Sequence, residues 1–272
     1  MKKLKIFTKL VFIFITISLI ITMVYVYFFS PSHYRFSSFD YVNSNITSSL
    51  NGFKIAYISD INLSDKKSLE RLEKIVDELN EYSFDMALIG GDLFDGHVFS
   101  EKEVGNILKK IDCRYGKFAI LGEKDQDSSL EIKKIFNDGG FEVLENTART
   151  IHYNNDSFLL CACDKNYDIS QFKETTKTIK VLMTHQPDSF TINQGKINLQ
   201  LSGHSYGGTL YLPYFGALLK PQGAQNYNHG IYQENNSTLL VSNGLHASAS
   251  FPYKLFAPNE VNLITLSKVE KK

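Results

Sequence analysis

The sequence predicts a mixed α/β sandwich, with helices outside two packed sheets, preceded by one N-terminal transmembrane helix. Three observations carry this. Apolar strand-like runs alternate with amphipathic helical patterns from residue 53 to residue 136; the remainder is rich in short apolar runs; and the N-terminal region holds a long uncharged apolar segment.

That segment, 11–29, has no charged residue, and a helix rising ~1.5 Å per residue roughly matches a hydrocarbon core of about 30 Å. Lys2, Lys3, Lys5 and Lys9 precede it, and no acid occurs before Asp40. The positive-inside bias therefore predicts a single-pass cell-membrane protein with residues 1–10 cytoplasmic and everything after Phe29 outside. A cleaved signal peptide is the rival reading. The bulky run Tyr25, Val26, Tyr27, Phe28 and Phe29 offers it no small-x-small cleavage site, and apolar residues on every face argue against a buried globular helix.

Residues 30–51 are rich in Ser, Asn and aromatics without a clear period and read as a linker, so the folded domain is expected over 52–272. Within it, 53–59 (FKIAYIS) reads as a strand. Leu69, Leu72, Ile75, Val76 and Leu79 recur at helical spacing over 66–82. Strands at 86–89 and 118–121 alternate with helices at 101–111 and 130–136, the pattern of parallel strands joined by crossovers. Apolar runs at 158–161, 179–183, 197–201, 238–241 and 261–266 read as further strands.

At 272 residues and 43% hydrophobic content the chain is long enough for one substantial core. Lysine plus arginine and aspartate plus glutamate each total 29, so no basic excess points to nucleic acid, and none is expected as a partner. Cys113, Cys161 and Cys163 cannot all pair; the last two share one face of a strand and read as core residues.

Polar and ionisable residues gather just after the apolar strands, where open α/β sheets place their sites. Asp60 and Asn62 follow the first strand, Gly90-Gly91-Asp92-Leu93-Phe94-Asp95 the second, and Gly122-Glu123-Lys124-Asp125 the third. His185 and His204 follow two later strands. Taken alone, a strand-end aspartate is more often a turn former or helix cap, and a lone histidine more often structural. Carboxylates and imidazoles converging from five strand ends are what a site for Mn, Fe or Zn requires. His97 and His246 read as loop residues, and Asp95 as structural.

The ordered series Ser-Asp-x-x, Gly-Gly-Asp-Leu-x-Asp, Gly-x-x-Asp, Thr-His-x-Pro and Ser-Gly-His-x-x-Gly-Gly resembles the motifs of the calcineurin-like metallophosphoesterases, especially their membrane-associated bacterial branch. The resemblance runs from Lys54 to about Leu266. It implies a four-layer α/β/β/α sandwich and two divalent metals bridged by an aspartate and a water that attacks phosphorus in line. Asp60 matches the first-motif aspartate, Asp92 the bridging aspartate, and His185 and His204 the histidines of the second metal position.

Three positions depart from that pattern. Asn62 stands in place of one first-site histidine, Tyr206 in place of another, and Glu123-Lys124 in place of Asn-His. The second position keeps Asp92, His185 and His204, with Glu123 able to ligate, so one tight metal is expected there. The first keeps Asp60 and Asp92 but offers Tyr206, a ligand chiefly as phenolate, and is expected weak or empty. Lys124 would replace part of the missing cation's charge and bind phosphate, making Lys124 and Asp60 the expected catalytic pair. Two functions stay open on these residues. One is an anchored, metal-dependent phosphoesterase acting on a lipid-linked or envelope-derived phosphate ester; the other is an inactive ectodomain serving as a binding or scaffold module.

Overall fold

In the computed structural model, which describes residues 2–164, 169–172 and 179–269, the first apolar run of the domain becomes β2 (Lys54–Ile58), buried from Ile55 onward. It leads into α2 (Lys66–Leu79), whose start is fixed by a reciprocal cap: Asp65 accepts from the Ser68 backbone N–H at 2.8 Å, and the Ser68 hydroxyl oxygen accepts from the Asp65 N–H at 3.0 Å. The α2 stripe Leu69, Leu72, Ile75, Val76 and Leu79 is buried, as its spacing predicts. Strands β3 (Met86–Ile89) and β4 (Lys117–Ala119) alternate with α3 (Glu101–Lys109) and α4 (Ser129–Asp138), and β5 (Glu142–Val143) closes this half. β2, β3, β4 and β5 pair in parallel, so their carboxyl ends share one edge.

The second sheet is built from β6 (Thr147–Tyr153), β7 (Asp156–Ala162), β8 (Lys180–Met183), β9 (Leu199–Ser202), β12 (Gly230–Glu234) and β13 (Ser237–Val241) in the order β12-β13-β9-β8-β7-β6. Its central strands β7, β8, β9 and β13 are parallel, whereas the β6–β7 and β12–β13 pairs are antiparallel. A small hairpin, β10 (Tyr211–Leu212) with β11 (Gly216–Ala217), follows β9. The two sheets bury Phe53, Tyr57, Leu88, Phe158, Leu160, Val181 and Leu201 between them, and α2, α3 and α4 cover the far face of the first. Among the described residues, the far face of the second sheet is covered less heavily than four full layers would imply. The four-residue α5 (Phe190–Asn193) and loop aromatics do this, with Phe190 and Tyr227 edge to face at 5.3 Å. Cys161 and Cys163 pack in that layer, and all three cysteines are free.

The segment read as a linker is in large part a strand. β1 (Tyr34–Asn43) pairs in parallel with β14 (Asn259–Lys268), which itself runs antiparallel to β2, giving the first sheet the order β1-β14-β2-β3-β4-β5. The missing period has a physical cause. Tyr34 and Phe36 pack into the helix-side core, while Phe39 and Tyr41, out of phase by one, pack into the core between the sheets. Tyr41 is buried and its hydroxyl donates to the Asn198 carbonyl at 3.0 Å. Tyr41→Ala is therefore expected to lower the unfolding free energy by about 3 kcal/mol in denaturant titration, where a linker tyrosine would cost almost nothing.

α1 (Lys2–Val24) continues into a π-helical turn, Tyr25–Phe29. The stretch Lys3–Phe29 is long and apolar enough to cross a membrane and is not buried against the domain. Three of the four residues after it are tied to the domain: Pro31 accepts from Arg71 Nη1 at 2.7 Å, His33 accepts from Asn259 Nδ2 at 3.0 Å, and the Ser30 hydroxyl accepts from the Lys254 N–H at 2.9 Å.

Candidate metal centre

Because β2, β3, β4, β8 and β9 end at one edge, the loops that follow them meet there. The backbone of the first two loops continues to pair: Asp60 N–H donates to the Gly91 carbonyl at 3.0 Å, Asn62 N–H to Asp92 at 3.0 Å, and Leu63 N–H to Leu93 at 2.9 Å. Asp60, Asn62, Asp92, His204 and Tyr206 all take positive φ, between 48° and 67°. Side chains other than glycine visit this region sparingly, and strain of this kind concentrates at functional sites. Two glycines make the approach feasible. A Cβ on Gly122 would lie 2.0 Å from Asp92 Oδ1, and one on Gly203 would lie 2.3 Å from Asp60 Oδ2.

Asp60, Asp92 and His185 form a buried group whose ligand atoms lie within 4.8 Å of one another. His185 Nδ1 is 2.7 Å from the Gly90 carbonyl, which makes it the donor and leaves Nε2 with its lone pair 3.3 Å from Asp92 Oδ2 and 4.0 Å from Asp60 Oδ1. That buried Nε2 has no hydrogen-bond partner. A lone pair aimed at two carboxylates is repulsive unless a cation or proton lies between them, so this donor set fits a divalent ion. Without an ion, a proton on Nε2 takes that place. Burial alone would depress the His185 pKa, yet Asp92 and Asp60 raise it to about 10; burial raises the Asp60 carboxyl; Asp92, although buried, falls below the usual carboxylate range beside His185.

His204 and Glu123 adjoin this group. The His204 backbone N–H donates to both Asp60 oxygens, at 3.1 and 3.0 Å, and its ring sits edge-on to that of His185 at 5.1 Å. Its Nδ1 lies 3.7 Å from Glu123 Oε2, and its Nε2 lies 2.7 Å from the Gln222 carbonyl. Glu123 also accepts from Gln186 Nε2.

On the other side, Lys124 Nζ donates to Asn62 Oδ1 at 3.0 Å, pairs with Asp95 at 3.0 Å, and stands 5.4 Å from the centre of the Tyr206 ring. Its backbone N–H donates to Asp92 Oδ1 at 3.0 Å. Burial first, and then Asp60 and Asp92, push the Tyr206 phenol far above its ordinary range, keeping it protonated.

Asp125 carries a role that its residue type alone did not reveal. Buried behind the centre, its carboxylate accepts from Gly122 N–H at 2.8 Å, Asp92 N–H at 2.8 Å and Leu93 N–H at 2.9 Å, which holds two ligand loops together. Its place as the aspartate of the Gly-x-x-Asp motif, three residues after Gly122, where a carboxylate can fold back on its own turn, is the signal in the sequence. Asp125→Ala strands three buried N–H groups at about 1–3 kcal/mol each before relaxation or water entry. A fall in thermal unfolding midpoint, with weakened metal uptake, is the expected result.

A family model described as calcineurin-like phosphoesterase matches residues 53–208. The chain is 28% identical over 236 residues to the uncharacterized metallophosphoesterase YkuE of Bacillus subtilis, covering 82% of each protein. It is 24% identical over 243 residues to a Danio rerio transmembrane protein with a metallophosphoesterase domain, covering 81% of this chain and 54% of that relative. Among solved structures, GAP50, the anchor in the inner membrane complex of Plasmodium, aligns with a TM-score of 0.45 at 10% identity, covering 78% of this chain and 80% of that one. With the family model spanning more than half of its 272 residues, the chain belongs to the calcineurin-like phosphoesterase family.

Proposed function

We propose that the chain is a membrane-anchored, metal-dependent phosphoesterase working with one tightly held divalent ion, its N-terminus cytoplasmic and its domain outside. The observation that carries this reading is the buried His185 Nε2 aimed at two buried carboxylates, Asp92 at 3.3 Å and Asp60 at 4.0 Å. A Mn, Fe or Zn ion held by Asp60, Asp92 and His185, with His204 and Glu123 beside that group, would supply Lewis acidity toward phosphoryl oxygens and acidify water. The chain's own residues prepare the site. Gly90 fixes the His185 tautomer, Lys124 N–H orients Asp92, and the Lys124 ammonium brings a fixed positive charge beside the carboxylates. Tyr206, kept as a phenol, does not compete as a ligand.

The anchor reading draws on the charge bias at the N-terminus, the apolar span of α1 and the relative described as a transmembrane protein. It directs the substrate reading to an outward-facing phosphate ester, lipid-linked or derived from the envelope. A second reading, an inactive ectodomain that binds or scaffolds, is favoured by one observation: Asn62, Lys124 and Asp95 satisfy one another where the family carries a first metal. Elemental analysis of the full chain in detergent, paired with a panel of mono- and diesters, separates the two. About one metal per chain and hydrolysis well above an Asp92→Ala control are expected. A stable chain with no metal and no hydrolysis would establish the second reading.

A further inference from the structure

We propose that the edge of the sandwich carrying the metal centre is seated on the bilayer that α1 spans, docked through the β10–β11 hairpin and the loop 248–257. This rests on the reading of α1 as a retained anchor, and it deepens that reading by fixing which way the site faces.

Topology makes the first argument. β1 is parallel to β14, and β14 is antiparallel to β2, so β1 starts at the edge where β2 ends and Asp60 begins. α1 therefore joins the domain on the same edge as the metal centre. Only residues 30–33 separate Phe29 from β1, a reach of ~14 Å even if fully extended. The bonds from Arg71, Asn259 and the Lys254 backbone shorten it further. A domain held so closely by that edge cannot turn its site away from the membrane surface.

The second argument is what this edge exposes. Tyr214 and Phe215, at the hairpin tip, have relative exposures of 104% and 85%. Leu218, Leu219, Phe251 and Phe256 are exposed beside them. A cluster of large apolar side chains on a folded surface marks an interaction face, and tyrosine and phenylalanine suit the boundary between headgroups and acyl chains. Lys220, exposed directly after Leu219, suits anionic headgroups.

These side chains are continuous with the end of α1. Tyr27 stacks on Tyr253 with centroids 5.4 Å apart, and Tyr253 meets Phe251 edge-on at 5.4 Å. Leu255 then pairs with the hairpin base, accepting from Tyr211 N–H at 2.9 Å and donating to the Thr209 carbonyl at 3.0 Å. The same loop system reaches the site, because the Gln222 carbonyl meets His204 Nε2. The phosphate groups within reach of a site so placed are those at the membrane surface.

The test places an environment-sensitive fluorophore on one accessible cysteine per variant of the full chain, in a Cys113→Ser background that leaves only the buried Cys161 and Cys163, reconstituted in vesicles of phosphatidylcholine and phosphatidylglycerol carrying doxyl-labelled lipid. Tyr214→Cys probes the hairpin, Phe14→Cys probes α1, and Asn236→Cys probes the opposite edge of the sandwich. All three positions are exposed, so labelling leaves the core intact. Quenching at 14 and 214 but not at 236 is expected. Quenching at 14 alone overturns the docking and leaves the anchor standing, whereas no quenching at 14 overturns the anchor reading and the docking with it. A blue shift at 214 that depends on protein concentration, without lipid quenching, assigns the patch to a second copy and also overturns the proposal.

Discussion

Replacing Asp92 with alanine is expected to lower kcat/KM by about a thousandfold or more, the several kcal/mol that organised Lewis acidity contributes to phosphoryl transfer. Asp92 is the carboxylate that faces His185 Nε2 at 3.3 Å while its other oxygen accepts from Lys124 N–H, so nothing else in the group can take its place. Without metal the substitution also costs stability: the Asp92 backbone keeps its bonds to Asp125 and Asn62, but the pairing with His185 and the acceptor of Lys124 N–H are lost, which outweighs the repulsion relieved at Asp60. Two readouts are expected: activity and the metal-dependent rise in unfolding temperature disappear, while the metal-free midpoint falls but a cooperative transition remains. Asp92→Asn, which keeps the shape without the charge, should follow the alanine variant in activity. If either variant retained its metal-dependent stabilisation, Asp92 would not be a ligand.

What could be seen in the sequence was what local pattern encodes. The stripe of α2 and the apolar runs of β2, β3 and β8 are periodic or continuous, and each forms where its pattern predicts. β1 was hidden because its aromatics change faces midway, a consequence of lying at a sheet edge between two cores. Gly207, Gly208 and the aromatics of 211–214 point to a turn and hairpin after His204, and the short β10–β11 hairpin forms there. At the site, ligand types and their strand-end positions point to Asp60, Asp92, Glu123, His185 and His204; among the described residues Asp60, Asp92 and His185 converge in one buried group, and His204 and Glu123 stand outside it. Which atom of each residue faces the centre was not legible, since it depends on partners far along the chain. Gln222, eighteen residues after His204, supplies the carbonyl beside its ring. Asp95 was read as structural. It lies 3.0 Å from Lys124, a pairing that joins two loops 29 residues apart and that neither loop announces by itself.

That pairing sets up the second large effect. The Lys124 ammonium is held beside Asn62, Asp95 and Tyr206, the region where the family pattern has imidazoles. If it serves in place of a first cation, Lys124→Met removes the charge while keeping the length. Affinity for inorganic phosphate, read by calorimetry on the metal-loaded chain, is then expected to fall by about 10- to 100-fold, the worth of a charge-assisted hydrogen bond. Metal content should stay unchanged, because Lys124 reaches Asp92 through its backbone N–H, which methionine retains. The complementary variant Asn62→His/Lys124→His/Tyr206→His removes the fixed cation and returns three imidazoles. Positions 62 and 206 sit at φ 48° and 53°, a region histidine tolerates better than most residues. Metal content is expected to rise by about one equivalent, since Asp60 and Asp92 would regain nitrogen ligands in place of a repelling ammonium. Unchanged phosphate affinity in Lys124→Met, with no metal gained by the triple variant, would reduce Lys124 to a structural partner of Asp95. The site would then hold a single cation by loss of ligands alone, with no substitute charge built into the chain.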